Sequence, residues 1–324
     1  MTKLTIIQAL NLALKQEMER DATVMVLGED VGTNGGVFRA TEGLYQQFGA
    51  ERVVDTPLAE SAIVGTSIGL AIMGMKPVAE IQFDGFTYSG LDQLISHAGR
   101  IRFRSQGKHH VPMVVRFPYS GGIRALEHHS ESPETYFIHT PGIKVVVPAN
   151  PYDTKGLLTA AIRDPDPVIF MEPKRIYRAF REEVPETEYT VPIGKANVVK
   201  EGTDLTIISF GSMLKFTKDI IEKENMKHSI ELIDLRTLSP IDKDTITKSV
   251  KKTGRCIIVQ EAPRSCGIAA EITAILMGNV FLSLEAPVVR VTGFDTPYPP
   301  FKAEKYYLPT TEKILAAIES VMSY

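Results

Sequence analysis

Short apolar runs that close on glycine or a polar residue, alternating with stretches of helical periodicity, constrain this chain more than any other feature. Leu4, Ile7, Leu10, Leu14 and Met18 recur at helical spacing, and residues 24–27 then form a continuous apolar run ended by Gly28. Such a run suits a strand buried on both faces of a parallel sheet. The alternation continues. It predicts strands over 53–55, 77–81, 113–116, 144–147 and 168–171, with helices over 61–73, 91–102, 133–139 and 152–163. The result is an α/β fold with a mostly parallel sheet flanked by helices. Pro173, Pro185 and Pro192 break the rhythm and predict a linker over about 173–199. A second, smaller α/β unit follows, with strands over 205–210, 231–235, 256–260 and 288–291 and helices over 217–223, 242–250, 268–277 and 311–321. The expected division is 1–185 and 186–324.

Composition removes several functions. Lys plus Arg number 36 against 39 Asp plus Glu, a net charge of -3. Nucleic-acid binding would lack its electrostatic footprint. Two cysteines, Cys256 and Cys266, can build neither a disulfide scaffold nor a four-cysteine zinc site. No export signal stands at the start and no run of 18 apolar residues occurs, so a cytoplasmic protein without a membrane span is expected. The nucleotide-binding signatures G-x-G-x-x-G after a strand and G-x-x-x-x-G-K-[ST] are missing, as is H-E-x-x-H. Gly65-Thr66-Ser67-Ile68-Gly69 matches G-x-S-x-G, but it lies within a predicted helix rather than at the strand-to-helix turn a nucleophile elbow needs. The pairs His109-His110 and His128-His129 are poor metal sites, because adjacent side chains diverge on any regular element.

Three segments at strand ends carry chemistry, since open α/β sheets bind ligands there. In Asp55-Thr56-Pro57-Leu58-Ala59-Glu60-Ser61, Glu60 falls in the first turn of a helix. It either stabilises the helix dipole or exchanges a proton with a ligand from a partly buried crevice. In Glu80-Ile81-Gln82-Phe83-Asp84-Gly85-Phe86, Phe86 either caps the core or offers a ring face to a flat heterocycle. In the third, His128-His129-Ser130 precedes Ser132, a good N-cap, and Pro133 at the first helical position. A loop histidine there suits proton transfer near neutrality.

Taken in order, these segments resemble the beta subunit of the thiamine-diphosphate-dependent 2-oxo acid dehydrogenases. The resemblance also runs through Gly28-Glu29-Asp30-Val31, Gly35-Gly36-Val37-Phe38-Arg39-Ala40-Thr41, Pro141-Gly142-Ile143-Lys144-Val145-Val146, Asp234-Leu235-Arg236-Thr237 and Leu284-Glu285-Ala286-Pro287. It implies a pyrimidine-binding domain, a transketolase C-terminal-like domain and an alpha2-beta2 heterotetramer. Thiamine diphosphate would be shared with an alpha subunit. The G-D-G signature that opens the Mg²⁺ and diphosphate motif is absent here, so Mg²⁺ would be held by the alpha chain. By resemblance, Glu60 hydrogen-bonds N1′ of the aminopyrimidine and so promotes removal of the thiazolium C2 proton. Phe86 stacks on the ring, Leu58 and Gln82 make further contacts, and Glu29 lies behind Glu60. His129 transfers a proton during acylation of lipoyl-lysine on the dihydrolipoyl acyltransferase, with the adjacent His128 the alternative. A potassium site of mostly backbone oxygens would map to Met113, Ala161, Ile162, Asp164 and Asp166, with Pro165 a departure from the family pattern. His129-Ser130-Glu131-Ser132-Pro133-Glu134, Met171-Glu172-Pro173-Lys174, Glu261-Ala262-Pro263 and the stretch from Gly293 to Pro299 favour branched-chain 2-oxo acids as substrate. A pyruvate or acetoin dehydrogenase subunit is the alternative. Two other classes stay open at this point, a non-catalytic scaffold docked on the acyltransferase and a self-sufficient thiamine enzyme. The intact Glu60 and His129 oppose the first and the missing G-D-G opposes the second.

Overall fold

A computed structural model describes residues 1–224 and 226–324. The first helix is Ile6–Arg20. Thr5 and Gln8 cap each other's backbone at its start, a reciprocal capping box. That cap explains why the helix begins later than the apolar spacing alone suggests. The residues before it, Thr2–Leu4, pair antiparallel with Glu182–Val184, inside the stretch read as a linker.

A seven-stranded sheet forms the larger layer. From edge to edge its strands are Thr237–Ser239, Lys144–Val146, Val168–Pro173, Val114–Tyr119, Lys76–Glu80, Val24–Gly28 and Val53–Asp55. All neighbours are parallel except the first pair. Every residue of Val24–Gly28, Val114–Tyr119 and Val168–Pro173 is buried, which is why these strands read as apolar runs, interrupted only by Arg116 and Glu172. The antiparallel edge strand comes from the second half of the chain, and the apolar pattern did not announce it. Three residues are too few to show a period.

The second sheet has the order Val289–Val291, Cys256–Val259, Leu205–Ser209, Ile230–Asp234 and Asn197–Lys200, with only the last strand antiparallel. One apolar cluster runs through both sheets, joining Phe117, Tyr119 and Met171 to Phe210, Ile233 and Ile258. At the junction Gly211 has φ +54°, and a Cβ there would lie 2.1 Å from the Tyr119 Oη. Only glycine permits that approach.

Polar groups are buried with the apolar ones. Arg116 is fully buried in the middle of the large sheet. Its Nη2 donates to Glu172 Oε2 at 2.9 Å and its Nη1 donates to Glu80, while the Tyr177 hydroxyl donates to Glu172. Three adjacent strands are thereby cross-tied by one guanidinium, in the planar fork geometry that suits carboxylates.

Candidate active site

The polar segments singled out in the sequence converge at the carboxyl ends of the parallel strands. Glu60 opens the helix Glu60–Ile72, directly after the strand Val53–Asp55 and its proline turn. The same helix buries Ser67, whose hydroxyl donates to the Ile63 carbonyl at 2.8 Å. The G-x-S-x-G match is thus a helix interior. Glu60 is half-buried, and Ser89 Oγ donates to its Oε2 at 3.0 Å. Ser89 stands on the helix Thr87–Asp92, which follows the single turn Asp84–Phe86.

Glu29 follows the strand Val24–Gly28 and is 7% exposed. Its Oε1 has no hydrogen-bond partner. Burial, then the neighbouring charges of Glu60 and Asp30, push its carboxyl above the usual range. Glu29 therefore lies close enough to Glu60 for that charge to strengthen its own hold on a proton. Gln82 Nε2 donates to Asp30 Oδ2 at 3.2 Å, which draws the ends of two adjacent strands together. Leu58 is 80% exposed on the turn before Glu60.

Phe86 and His129 face each other, with ring centroids 5.3 Å apart and nearly perpendicular planes. Phe83 completes the group, 4.1 Å from the His129 ring and 6.0 Å from Phe86. The geometry also separates the two histidines. His128 is exposed, and its backbone lies so close to Gly85 that a Cβ on that residue would sit 2.7 Å from the His128 Cα. His129 points into the aromatic group instead. Both occupy the single turn Glu127–His129. The following helix, Glu134–Ile138, is flanked at its start by Pro133 with no side-chain cap bond, so the expected Ser132 cap is not made. Sequence reasoning had not given site roles to Asp30, Phe83, Asp84, Ser89, Glu131 or Lys174. Apart from Lys174, they are the immediate neighbours or helical successors of residues it had chosen.

The residues expected to bind potassium meet at the turn between the helix Pro151–Arg163 and the strand Val168–Pro173. Their carboxylates are committed. Lys144 Nζ donates to Asp164 at 2.6 and 2.7 Å, and Arg102 donates to both Asp166 oxygens at 2.7 Å. The Met113 carbonyl accepts from Val168 N and the Ala161 carbonyl from Asp164 N. Any cation at this turn would have to be held mainly by peptide oxygens, of which those of Met113 and Ala161 already accept a hydrogen bond. Among the described residues no three His, Cys, Asp or Glu side chains come together to hold a metal ion, and no helix is long and apolar enough to cross a membrane.

Two further features lie apart from this group. An apolar groove of about 1860 Å³ runs between the halves of the chain, lined by Ala98, Phe103, Tyr136, His139, Leu238 and Ile268, and it touches none of Glu29, Glu60, Phe86 or His129. Glu134 is fully buried, with both carboxylate oxygens unpartnered, and burial followed by the nearby Glu261 charge pushes it up to about 8. Its folded value exceeds its unfolded one, so its contribution is complete below about pH 4.5 and is lost as pH rises toward 8. Glu134→Gln is expected to raise the melting temperature by several degrees at pH 8.5 and to change it little at pH 5. An equal change at both pH values would show that the carboxyl is not held protonated.

The comparisons with known proteins were then decisive. The transketolase pyrimidine binding domain matches residues 2–179, and the transketolase C-terminal domain matches residues 194–314. The pyruvate dehydrogenase E1 component subunit beta of Acholeplasma laidlawii is 53% identical, covering 99% of this chain and 98% of its own. The chain belongs to the beta-subunit family of the thiamine-diphosphate-dependent 2-oxo acid dehydrogenases. The relative of the same name from Bacillus subtilis strain 168 is 50% identical over the full length of both chains. A solved split-gene transketolase, described as an inactive beta4 tetramer, superposes with a TM-score of 0.79 over 99% of both chains at 20% identity, which speaks for the fold alone. The pyrimidine and C-terminal folds expected from the resemblance are both present. These relatives carry pyruvate rather than branched-chain dehydrogenase in their names, so they favour the alternative substrate reading over the preferred one.

Proposed function

We propose that this chain is the beta subunit of a pyruvate dehydrogenase E1 component. With an alpha subunit, as an alpha2-beta2 assembly, it would decarboxylate pyruvate and pass the acyl group to a lipoyl domain of a dihydrolipoyl acyltransferase. The observation that carries this reading is the convergence of Glu60, Glu29, Gln82, Phe86 and His129 at the carboxyl ends of one parallel sheet. The names of the relatives support pyruvate over a branched-chain acid. The residues present fit an aminopyrimidine: the Glu60 carboxylate would pair with a ring nitrogen, Glu29 is a buried carboxyl with an unpartnered oxygen, and Phe86 would supply an aromatic ring for packing. Bound thiamine diphosphate would supply the electron sink for loss of carbon dioxide.

The remaining roles fall to this chain's own side chains. Glu60, steadied by Ser89, holds a proton at the ring nitrogen facing it. Glu29 lies buried behind Glu60, and burial together with the Glu60 charge raises its affinity for a proton and opposes a second negative charge there. Phe86 fixes the ring plane. His129 is the acid or base for the lipoyl sulfur, a role supported by the packing of its ring against Phe83 and Phe86. Mg²⁺ would be held by the alpha chain, and a potassium ion by the backbone oxygens of Met113, Ala161, Ile162, Asp164 and Asp166.

Calorimetry with Mg²⁺-thiamine diphosphate tests the shared site. Binding is expected with the co-expressed alpha and beta chains together and not with this chain alone. Tight binding by this chain alone would overturn the division of the site. In the assembled enzyme, kcat/KM for pyruvate is expected to exceed that for 3-methyl-2-oxobutanoate by at least about 10-fold, the lower end of what even one extra methylene costs in a fitted pocket. The reverse order would reinstate the branched-chain reading.

A further inference from the structure

Behind the aromatic turn lies an ion pair that the roles above do not use. Lys174, which follows the strand Val168–Pro173, and Asp84, which follows Lys76–Glu80, both have completely buried side chains, with Nζ to Oδ1 at 2.7 Å. The other oxygen of Asp84 accepts from the backbone N–H of Glu131, two residues after His129. The Asp84 carbonyl accepts from Thr87 Oγ1 at 2.6 Å, which holds the single turn on which Phe86 stands. Glu131 is itself tied from the opposite side, since its carbonyl accepts from Ser120 N at 3.0 Å and its carboxylate from the Tyr88 hydroxyl. Asp84 thus ties the turn that presents Phe83 and Phe86, through its carbonyl, to the segment that presents His129, through its carboxylate. A cation is buried with it on the same side.

We propose that the Asp84–Lys174 pair is a positioning unit for His129, which seats the imidazole against Phe83 and Phe86 and sets the electric field at its ring. The inference rests on the reading of His129 as the acid–base group for lipoyl acylation. The charged groups facing His129 are Lys174 from the adjacent strand end and His128 and Glu127 from its own turn. Burial, then the Lys174 charge, then His128 lower its proton affinity, and Glu127 opposes them. Lys174 in turn faces Asp84, Glu261 and Glu131, which counter the effect of its burial. Burial raises the Asp84 carboxyl only to about 6, because Lys174 and the two backbone N–H groups at Asp84 and Glu131 oppose it. The 2.7 Å contact between Lys174 Nζ and Asp84 Oδ1 is the geometry of an ion pair, and the His129 imidazole lies in the field of its cation. Asp84 serves by holding backbone and by compensating Lys174, and neither residue touches the reacting atoms.

The test uses the assembled alpha2-beta2 enzyme. Diethylpyrocarbonate acylates only the neutral imidazole, so its rate at His129 as a function of pH, read by peptide mass mapping, gives the midpoint of that ring whether or not the ring is catalytic. Lys174→Met is expected to move the midpoint up by about half to one pH unit and to move the acid limb of the lipoyl-acylation profile with it. The KM for pyruvate should stay unchanged. If Lys174→Met does not assemble, the paired variant D84N/K174M leaves no lone buried charge, keeps an acceptor for the Glu131 N–H, and is expected to give the same upward shift. An unmoved midpoint in a variant that assembles would overturn the proposal. A midpoint that moves while the acylation profile does not, together with normal acylation by His129→Ala, would uphold the effect of the pair on the imidazole and reject the catalytic reading of His129.

Discussion

Glu60→Gln is expected to assemble with the alpha subunit and to bind thiamine diphosphate, yet to exchange the hydrogen on thiazolium C2 about 10²–10⁴-fold more slowly. The amide keeps the shape of the carboxyl and can still accept from Ser89, whose hydroxyl lies 3.0 Å from Glu60 Oε2. What it loses is the capacity to take and return a proton at the ring nitrogen. The neighbouring Glu29 does not substitute for it. That side chain is buried, has one unpartnered oxygen and is biased toward its protonated form by burial and by Glu60 itself. Removing the Glu60 charge relieves part of that bias, so Glu29 should titrate lower in the variant, with the sign set by loss of a like charge. Hydrogen exchange at C2, measured by rapid quench and proton magnetic resonance in deuterium oxide, gives the answer directly. Near-normal exchange would remove Glu60 from the proton path whatever happened to overall turnover.

Arg116→Met should be the most damaging single change to the fold. Methionine fills much of the arginine volume but supplies no donor. Glu80 and Glu172, both buried, would be left facing each other across the vacated strand position, with only the Tyr177 hydroxyl and a backbone N–H to satisfy them. Breaking one buried pair by deleting a partner costs about 3–5 kcal/mol, and here one guanidinium serves two carboxylates. A loss of that order is a large share of the 5–15 kcal/mol that domains possess, so the variant should lose most of its soluble yield. Any material recovered should unfold at a much lower urea concentration. The triple variant R116M/E80Q/E172Q removes the orphaned charges and is expected to recover much of the loss. A single variant within about 0.5 kcal/mol of the parent, a range typical of uncomplicated surface positions, would mean that water or a relaxed backbone satisfies both carboxylates.

The parts of the fold legible in the sequence are those whose signal is local. Val24–Gly28 and the first four residues of Val168–Pro173 are recognisable because a strand covered on both faces there has no polar positions to interrupt it. The helix Pro151–Arg163 is recognisable by its spacing, which starts it one residue late because the Asn150 cap and Pro151 add nothing to an apolar period. The edge strand Thr237–Ser239 was not legible. It is three residues long, and it is a strand only because the second half of the chain brings it to Lys144–Val146. The stretch 173–199 reads as a linker from its prolines, yet Glu182–Val184 pairs with the chain start and Asn197–Lys200 follows on its heels as a sheet edge. Pairing partners far away in sequence leave no local mark.

The candidate site divides the same way. Glu60, Gln82, Phe86 and His129 stand beside proline turns, strand ends and a helix start, and those features are written in neighbouring residues. Their order along the chain carried the family resemblance. What only the tertiary structure decided is which of two adjacent histidines meets the aromatic group, and that depends on Gly85 letting the His128 backbone pass close by. Only the structure paired Lys174 with Asp84, 90 residues apart, and gave Arg116 its two carboxylates. A charged residue in a sequence reads as surface, because burying a lone charge is prohibitively costly. The partner that makes its burial possible is supplied by the fold.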